Sequence, residues 1–170
     1  MFILSANQAH TFSPLINVSN NTKDICKVRV VQTDCSLDIL ETIKTQSKKY
    51  NMDWKIVYAI VGYESGFNPK KVYITEREKS YGLLQVNIKT NFPKDNNPDL
   101  LLNPEYNLNY QLKNLKEVYT QGIKANLNGI VLAEYVSKYG QRADWKNKEN
   151  IKYIKESIKT YYNEAVLIES

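Results

Sequence analysis

From residue 36 onward the apolar positions recur with a helical period, and the polar residues between them mark starts and stops. Ser36 caps a predicted helix running to about Tyr50, with Leu37, Leu40 and Ile43 along one face. Asp53 caps the next, Trp54 to about Glu64. Its run Ile56-Val57-Tyr58-Ala59-Ile60-Val61 is apolar nearly all round, which places that helix in the core. Residues 65–81 carry Gly66, Asn68-Pro69 and Glu76-Arg77-Glu78-Lys79 and read as a long loop or a small β excursion. A short apolar helix is predicted over Leu83 to Ile88, followed by a Pro- and Asn-rich connection from Phe92 to Leu102. Asn103-Pro104-Glu105 starts a helix to about Gln121, with Pro at the first helical position. Asn128-Gly129 opens another through Val131, Leu132, Tyr135 and Tyr139, closed by Gly140 just past its end. The last helix spans about Lys148 to Ala165, with Ile151, Ile154, Ile158 and Tyr162 on one stripe.

This pattern predicts a mainly α domain over 36–170 and a separate arm, or short β element, over 1–35. The arm shows no helical period and is rich in Ser, Asn, Thr and Pro (Ser13-Pro14, Asn17, Ser19-Asn20-Asn21-Thr22). Within it, Cys26 and Cys35 flank Lys27-Val28-Arg29-Val30-Val31, a β-prone run. The two cysteines either close a small loop or stay as buried thiols. With 170 residues, 42% of them apolar and 24% charged, the chain has enough material for one well-formed core. No apolar run approaches the roughly 20 residues of a membrane span.

Composition narrows the chemistry further. With one histidine, His10, and two cysteines, neither a multi-histidine nor a four-cysteine zinc site can be assembled. A Ser-His-Asp or Cys-His site has only His10 to draw on. Carboxylates, hydroxyls, amides and lysines remain. The net charge of +5 comes almost wholly from lysine, since only Arg29, Arg77 and Arg142 are arginine. Nucleic-acid recognition favours Arg's planar fork and a basic stripe, and the excess here is spread evenly along the chain. Nucleic acid is therefore not the expected partner. The charge reads as a solvated Lys-rich surface, or as weak attraction to an anionic wall polymer.

The candidate chemistry centres on Glu64. It ends the apolar helix, where both desolvation and the negative pole of the helix dipole push a carboxyl's pKa up. A carboxylic acid kept protonated near neutral pH is what general-acid cleavage of a glycosidic bond requires. Further on, Gln85 and Asn87 set amide groups beside the apolar pair Leu83-Leu84, an arrangement suited to sugar hydroxyls and N-acetyl groups or simply to capping. Thirteen tyrosines are consistent with sugar-stacking platforms, although each also serves as half-buried packing.

Four segments in order carry a resemblance. Glu64-Ser65-Gly66-Phe67-Asn68-Pro69, Ser80-Tyr81-Gly82-Leu83-Leu84-Gln85-Val86-Asn87, Asn103-Pro104-Glu105-Tyr106-Asn107-Leu108 and Leu132-Ala133-Glu134-Tyr135 together resemble the soluble lytic transglycosylase family over roughly residues 36–145. These are lysozyme-fold enzymes that cut peptidoglycan. The resemblance implies a mainly α, lysozyme-like α+β fold with helices around a glycan-binding groove. It implies Glu64 as catalytic acid/base, Ser65 as its orienting neighbour, and Gln85 and Asn87 as glycan contacts. Tyr135 corresponds to the family's tyrosine near the catalytic Glu. After that tyrosine the family usually continues Asn-Ala-Gly, whereas this chain has Val136-Ser137-Lys138.

The activity so implied is lytic transglycosylation of the β-1,4 bond between N-acetylmuramic acid and N-acetylglucosamine, leaving 1,6-anhydro ends. It calls for no metal and no organic cofactor, and its partner is the peptidoglycan glycan strand. Two alternatives stay open. A lysozyme-like hydrolysis of the same bond needs a second carboxylate, for which Glu76 and Glu78 are the candidates. A wall-binding structural component would keep the groove with little turnover. The expected place of action is the periplasm or cell wall. The amino-terminal residues offer neither the basic n-region nor the apolar stretch of about 7–15 residues that marks a secretory leader. Delivery by a phage particle or an export apparatus, with residues 1–35 as the contact, is the corresponding expectation.

Overall fold

A computed structural model describes residues 37–76, 78–90, 92–94, 96–141 and 148–170. The expected arm over 1–35, with His10, Cys26 and Cys35, lies outside the described residues, as do the Ser36 cap, Arg77 and Arg142. In chain order the described elements are α1 (Leu37–Lys49), α2 (Trp54–Ser65), β1 (Val72–Ile74), β2 (Lys79–Tyr81), β3 (Val86–Asn87), a 3-10 turn (Pro98–Leu102), α3 (Pro104–Lys124), α4 (Gly129–Gln141) and α5 (Lys148–Glu169). The fold is mainly helical, as predicted. No helix among the described residues is long and apolar enough to cross a membrane.

The core is built around α2. Asp53 caps it, its side chain accepting from the Lys55 amide at 3.0 Å. Every residue from Ile56 to Gly62 is buried. Against it pack Ile39 and Ile43 of α1, Leu108, Leu112 and Leu115 of α3, Leu132 and Val136 of α4, and Ile154, Ile158 and Ala165 of α5. Each fully buried Ile or Leu contributes about 1.5–3 kcal/mol of apolar burial. The long α5 runs along α2. It comes so close at Gly62 that a Cβ there would overlap the Tyr161 ring.

The β excursion forms a three-stranded antiparallel sheet of order β1-β2-β3, with Val72 opposite Tyr81 and Ser80 opposite Asn87. A second, smaller apolar cluster lies beneath it: Tyr81, Val86, Phe92 and Leu101.

Two expectations need correction. Residues 83–88 do not form a helix. Gly82 and Gln85 both take positive φ (75° and 41°), so Gly82–Gln85 is a turn leading into β3. The short apolar run is buried because Leu83 and Leu84 plug the core, and it has no helical backbone. Nor does Gly140 end α4, which continues to Gln141. Gly140 is small because α3 presses against it: a Cβ there would overlap Leu115 Cδ2. The predicted connection from Phe92 to Leu102 also contains the 3-10 turn, capped by Asn97, whose side chain accepts from the Asp99 amide at 3.0 Å.

Candidate active site

Three of the four segments read from the sequence are tied together by a few polar bonds. Helix α2 stops at Gly66, which adopts φ 62° and returns its N–H to the Gly62 carbonyl at 2.9 Å. Phe67 follows, also at positive φ (65°), a conformation rare for a bulky residue. It is held there by ring contacts with Tyr58 at 4.5 Å and Tyr161 at 5.5 Å. A tight turn then brings Lys71 back, its N–H on the Asn68 carbonyl at 3.2 Å.

Burial along α2 fades as Glu64 is reached. Gly62 and Ser65 are buried, whereas Tyr63 and Glu64 are half-buried. The carboxyl therefore lies at the edge of the core. The Lys71 ammonium donates to the main-chain carbonyl of Glu64 at 2.7 Å. Burial pulls the Lys71 pKa below its ordinary value, and the neighbouring Glu64 charge partly offsets this.

Lys71 also reaches the second segment. Its carbonyl accepts from the Gly82 amide at 2.8 Å and from Gln85 Nε2 at 3.2 Å. Gln85 Nε2 bonds the Gly82 carbonyl as well, at 2.8 Å, so the amide nitrogen faces into the turn. The third segment supplies Asn107, which is fully buried at the start of α3. Its Nδ2 donates to the carbonyls of Tyr81 and Leu101, both at 2.9 Å, and its Oδ1 accepts from the Leu84 amide at 2.8 Å. This one side chain fixes both flanks of the Gly82–Gln85 turn. A Cβ on Gly82 would overlap the Leu101 carbonyl and Asn107 Nδ2, so glycine is required both for φ and for space.

The remaining predicted residues are placed as follows. The Ser65 hydroxyl donates back to the Val61 carbonyl at 3.0 Å, bonding its own helix. Asn87 lies in β3 opposite Ser80, and its Oδ1 accepts from the Lys89 amide at 2.9 Å in a turn; no helix starts there for it to cap. Tyr135 stands on α4, its ring tilted at 48° against that of Tyr139 at 4.6 Å and seated over Gly122 of α3. The departure Val136-Ser137 is buried within α4. Of the two further carboxylates, Glu76 is exposed and Glu78 half-buried in the turn that joins β1 to β2, where Glu78 accepts the Ser80 hydroxyl.

Lys71 and Asn107 were not singled out from the sequence. A signal for Asn107 existed. The inward stripe of α3 runs Asn107, Leu108, Gln111, Leu112, Leu115 and Tyr119, and a buried amide among leucines must satisfy its hydrogen bonds.

A buried helix ending in a glutamate, tied to a small antiparallel sheet and wrapped by further helices, is a mainly α lysozyme-like domain. Residues 41–158 match the model of the family described as Transglycosylase SLT domain, and the chain belongs to that family. Its action is of the lytic-transglycosylase type, on peptidoglycan. Neither the curated proteins nor the solved structures give a significant match.

Proposed function

We propose that this protein cleaves the β-1,4 bond between N-acetylmuramic acid and N-acetylglucosamine with Glu64 as its acid and base, leaving 1,6-anhydro-muramoyl ends. The observation that carries this reading is the convergence at one helix end. Lys71 ties the Glu64 main chain to the Gly82–Gln85 turn, Asn107 holds the same turn from the other side, and Glu64, turn and Asn107 each come from a segment that resembles the family. In the proposed sequence Glu64 first protonates the glycosidic oxygen. The substrate's N-acetyl group supports the oxocarbenium-like state, so no second carboxylate is called for. Glu64, now a base, takes the proton of the muramoyl 6-hydroxyl as that oxygen attacks C1. Gln85, Asn87 and Tyr135 are proposed glycan contacts and Ser65 a support of the helix end.

Three features favour this outcome over hydrolysis. Glu78 is engaged by Ser80. It also lies in the turn, three residues along the chain from Tyr81 and so roughly 10 Å from the Lys71–Gly82 end of the hairpin. Glu76 is exposed to solvent. Digestion of purified sacculi followed by mass spectrometry tests the reading directly. Anhydro ends are expected, and products with reducing ends alone would establish hydrolysis instead. Glu64→Gln is expected to bind sacculi without lysing them. Unchanged lysis would remove Glu64 from the mechanism, and a wild-type chain that binds without any lysis would leave the wall-binding alternative. The site of action is proposed to be the bacterial wall, reached by a phage particle or an export apparatus.

A further inference from the structure

The charge arrangement at the end of α2 is unusual in a way that the reaction alone does not explain. The last turn of this helix, Gly62-Tyr63-Glu64-Ser65, contains no basic residue, and it places an acid at the negative pole of the dipole. The compensating cation comes from outside the helix. Lys71, next to the first strand of the sheet, is half-buried and directs its ammonium onto the carbonyl of Glu64 itself. The same residue's carbonyl receives Gly82 and Gln85. One residue therefore clamps the peptide unit of the proposed acid at one end and the opposing turn at the other. Its side chain makes a charge-assisted bond, the stronger kind, in a partly dry setting.

We infer that Lys71 is a positioning residue for Glu64: its ammonium sets where the end of α2 stands relative to the Gly82–Gln85 turn, and so where the carboxyl meets the scissile oxygen. This rests on the reading of Glu64 given above. A displacement of about 1 Å at a reacting group costs on the order of 10²-fold in rate. The carboxyl acts on the bond being broken, so the loss belongs in kcat more than in KM.

The test uses the full chain and soluble glycan strands, comparing wild type with Lys71→Met, Lys71→Gln, Lys71→Arg and Glu64→Gln. The Met and Gln variants are expected to lose roughly 10- to 100-fold in kcat with KM little changed. Lys71→Arg, which keeps charge and donor, recovers most of that loss, and melting temperatures stay close together. Wild-type kcat in Lys71→Met overturns the inference. So does a loss that follows the melting temperature and is not recovered by Arg. If the Met variant does not fold, the comparison of Gln with Arg decides, and equal kcat in those two overturns it. Glu64→Gln separates this from the underlying reading. Activity retained there defeats both, whereas activity lost there with Lys71→Met unaffected defeats only the role of Lys71.

Discussion

The two ends of α2 follow opposite rules. At the amino end the Asp53 cap sits where the helix dipole favours an acid, and the one cation of the first turn, Lys55, is answered by carboxylates. Asp53 caps, its own N–H reaches the Tyr119 hydroxyl at 3.1 Å, and Lys55 pairs with Glu169 of α5 at 2.7 Å. At the carboxyl end an acid occupies the negative pole, two consecutive residues take positive φ, and the neutralising lysine is borrowed from the next segment. One end is built for stability. The other tolerates unfavourable charge and backbone conformation, as functional sites do.

This contrast predicts that substitutions at the two ends separate activity from stability. The largest effect is expected from Glu64→Gln. Lysis should fall by about 10²–10⁴-fold, the usual worth of a general acid/base, while stability changes little, because relief of charge at the negative pole is opposed by loss of the Glu64 attraction for Lys71. Turbidity clearing and urea unfolding measure the two halves, and a destabilised Glu64→Gln would contradict the contrast. Next comes Asn107→Leu, which strands two buried carbonyls and one amide. At about 1–3 kcal/mol for each orphaned group, a loss of at least 3 kcal/mol is expected, with activity falling because the Gly82–Gln85 turn is released. Asp53→Ala should cost about 1 kcal/mol and leave kcat intact. An activity loss there beyond the unfolded fraction would show that the ends are coupled.

The smallest effect belongs to the Lys55–Glu169 pair. The Glu169 side chain accepting from Lys55 holds the Lys55 pKa above its ordinary value, and the same bond holds Glu169 below its own. For Lys55 the raised folded value means a contribution complete below the ordinary lysine range and lost as pH rises through the folded pKa. For Glu169 the lowered value means a contribution present above the ordinary carboxylate range and lost as pH falls through the folded pKa. Lys55→Met should therefore lower the melting point slightly at neutral pH and much less at either extreme. High salt should shrink the difference, since this pair meets solvent.

Much of this was legible because it is local. Asp53 and Asn103 announced their helices by capping chemistry, and the unbroken run from Ile56 to Val61 placed α2 in the core. Glu64 stood out because an acid terminates that run. What failed was non-local. Leu83 and Leu84 gave an apolar signal that fits a helix or a buried turn equally, and the decision comes from Asn107, which is more than twenty residues away and claims the Leu84 amide. Gly140 reads as a stop until Leu115 of another helix is seen against it. Lys71 is one lysine among many, and nothing in its neighbours says that its ammonium turns inward.

The seating of Tyr161 over Gly62 has a consequence for biosynthesis. The flank of α2 that meets Ile154, Ile158 and Ala165 stays open to water until the helix that covers it has emerged from the ribosome, because α5 is translated long after α2. A nascent chain thus carries its acid on an unsealed scaffold.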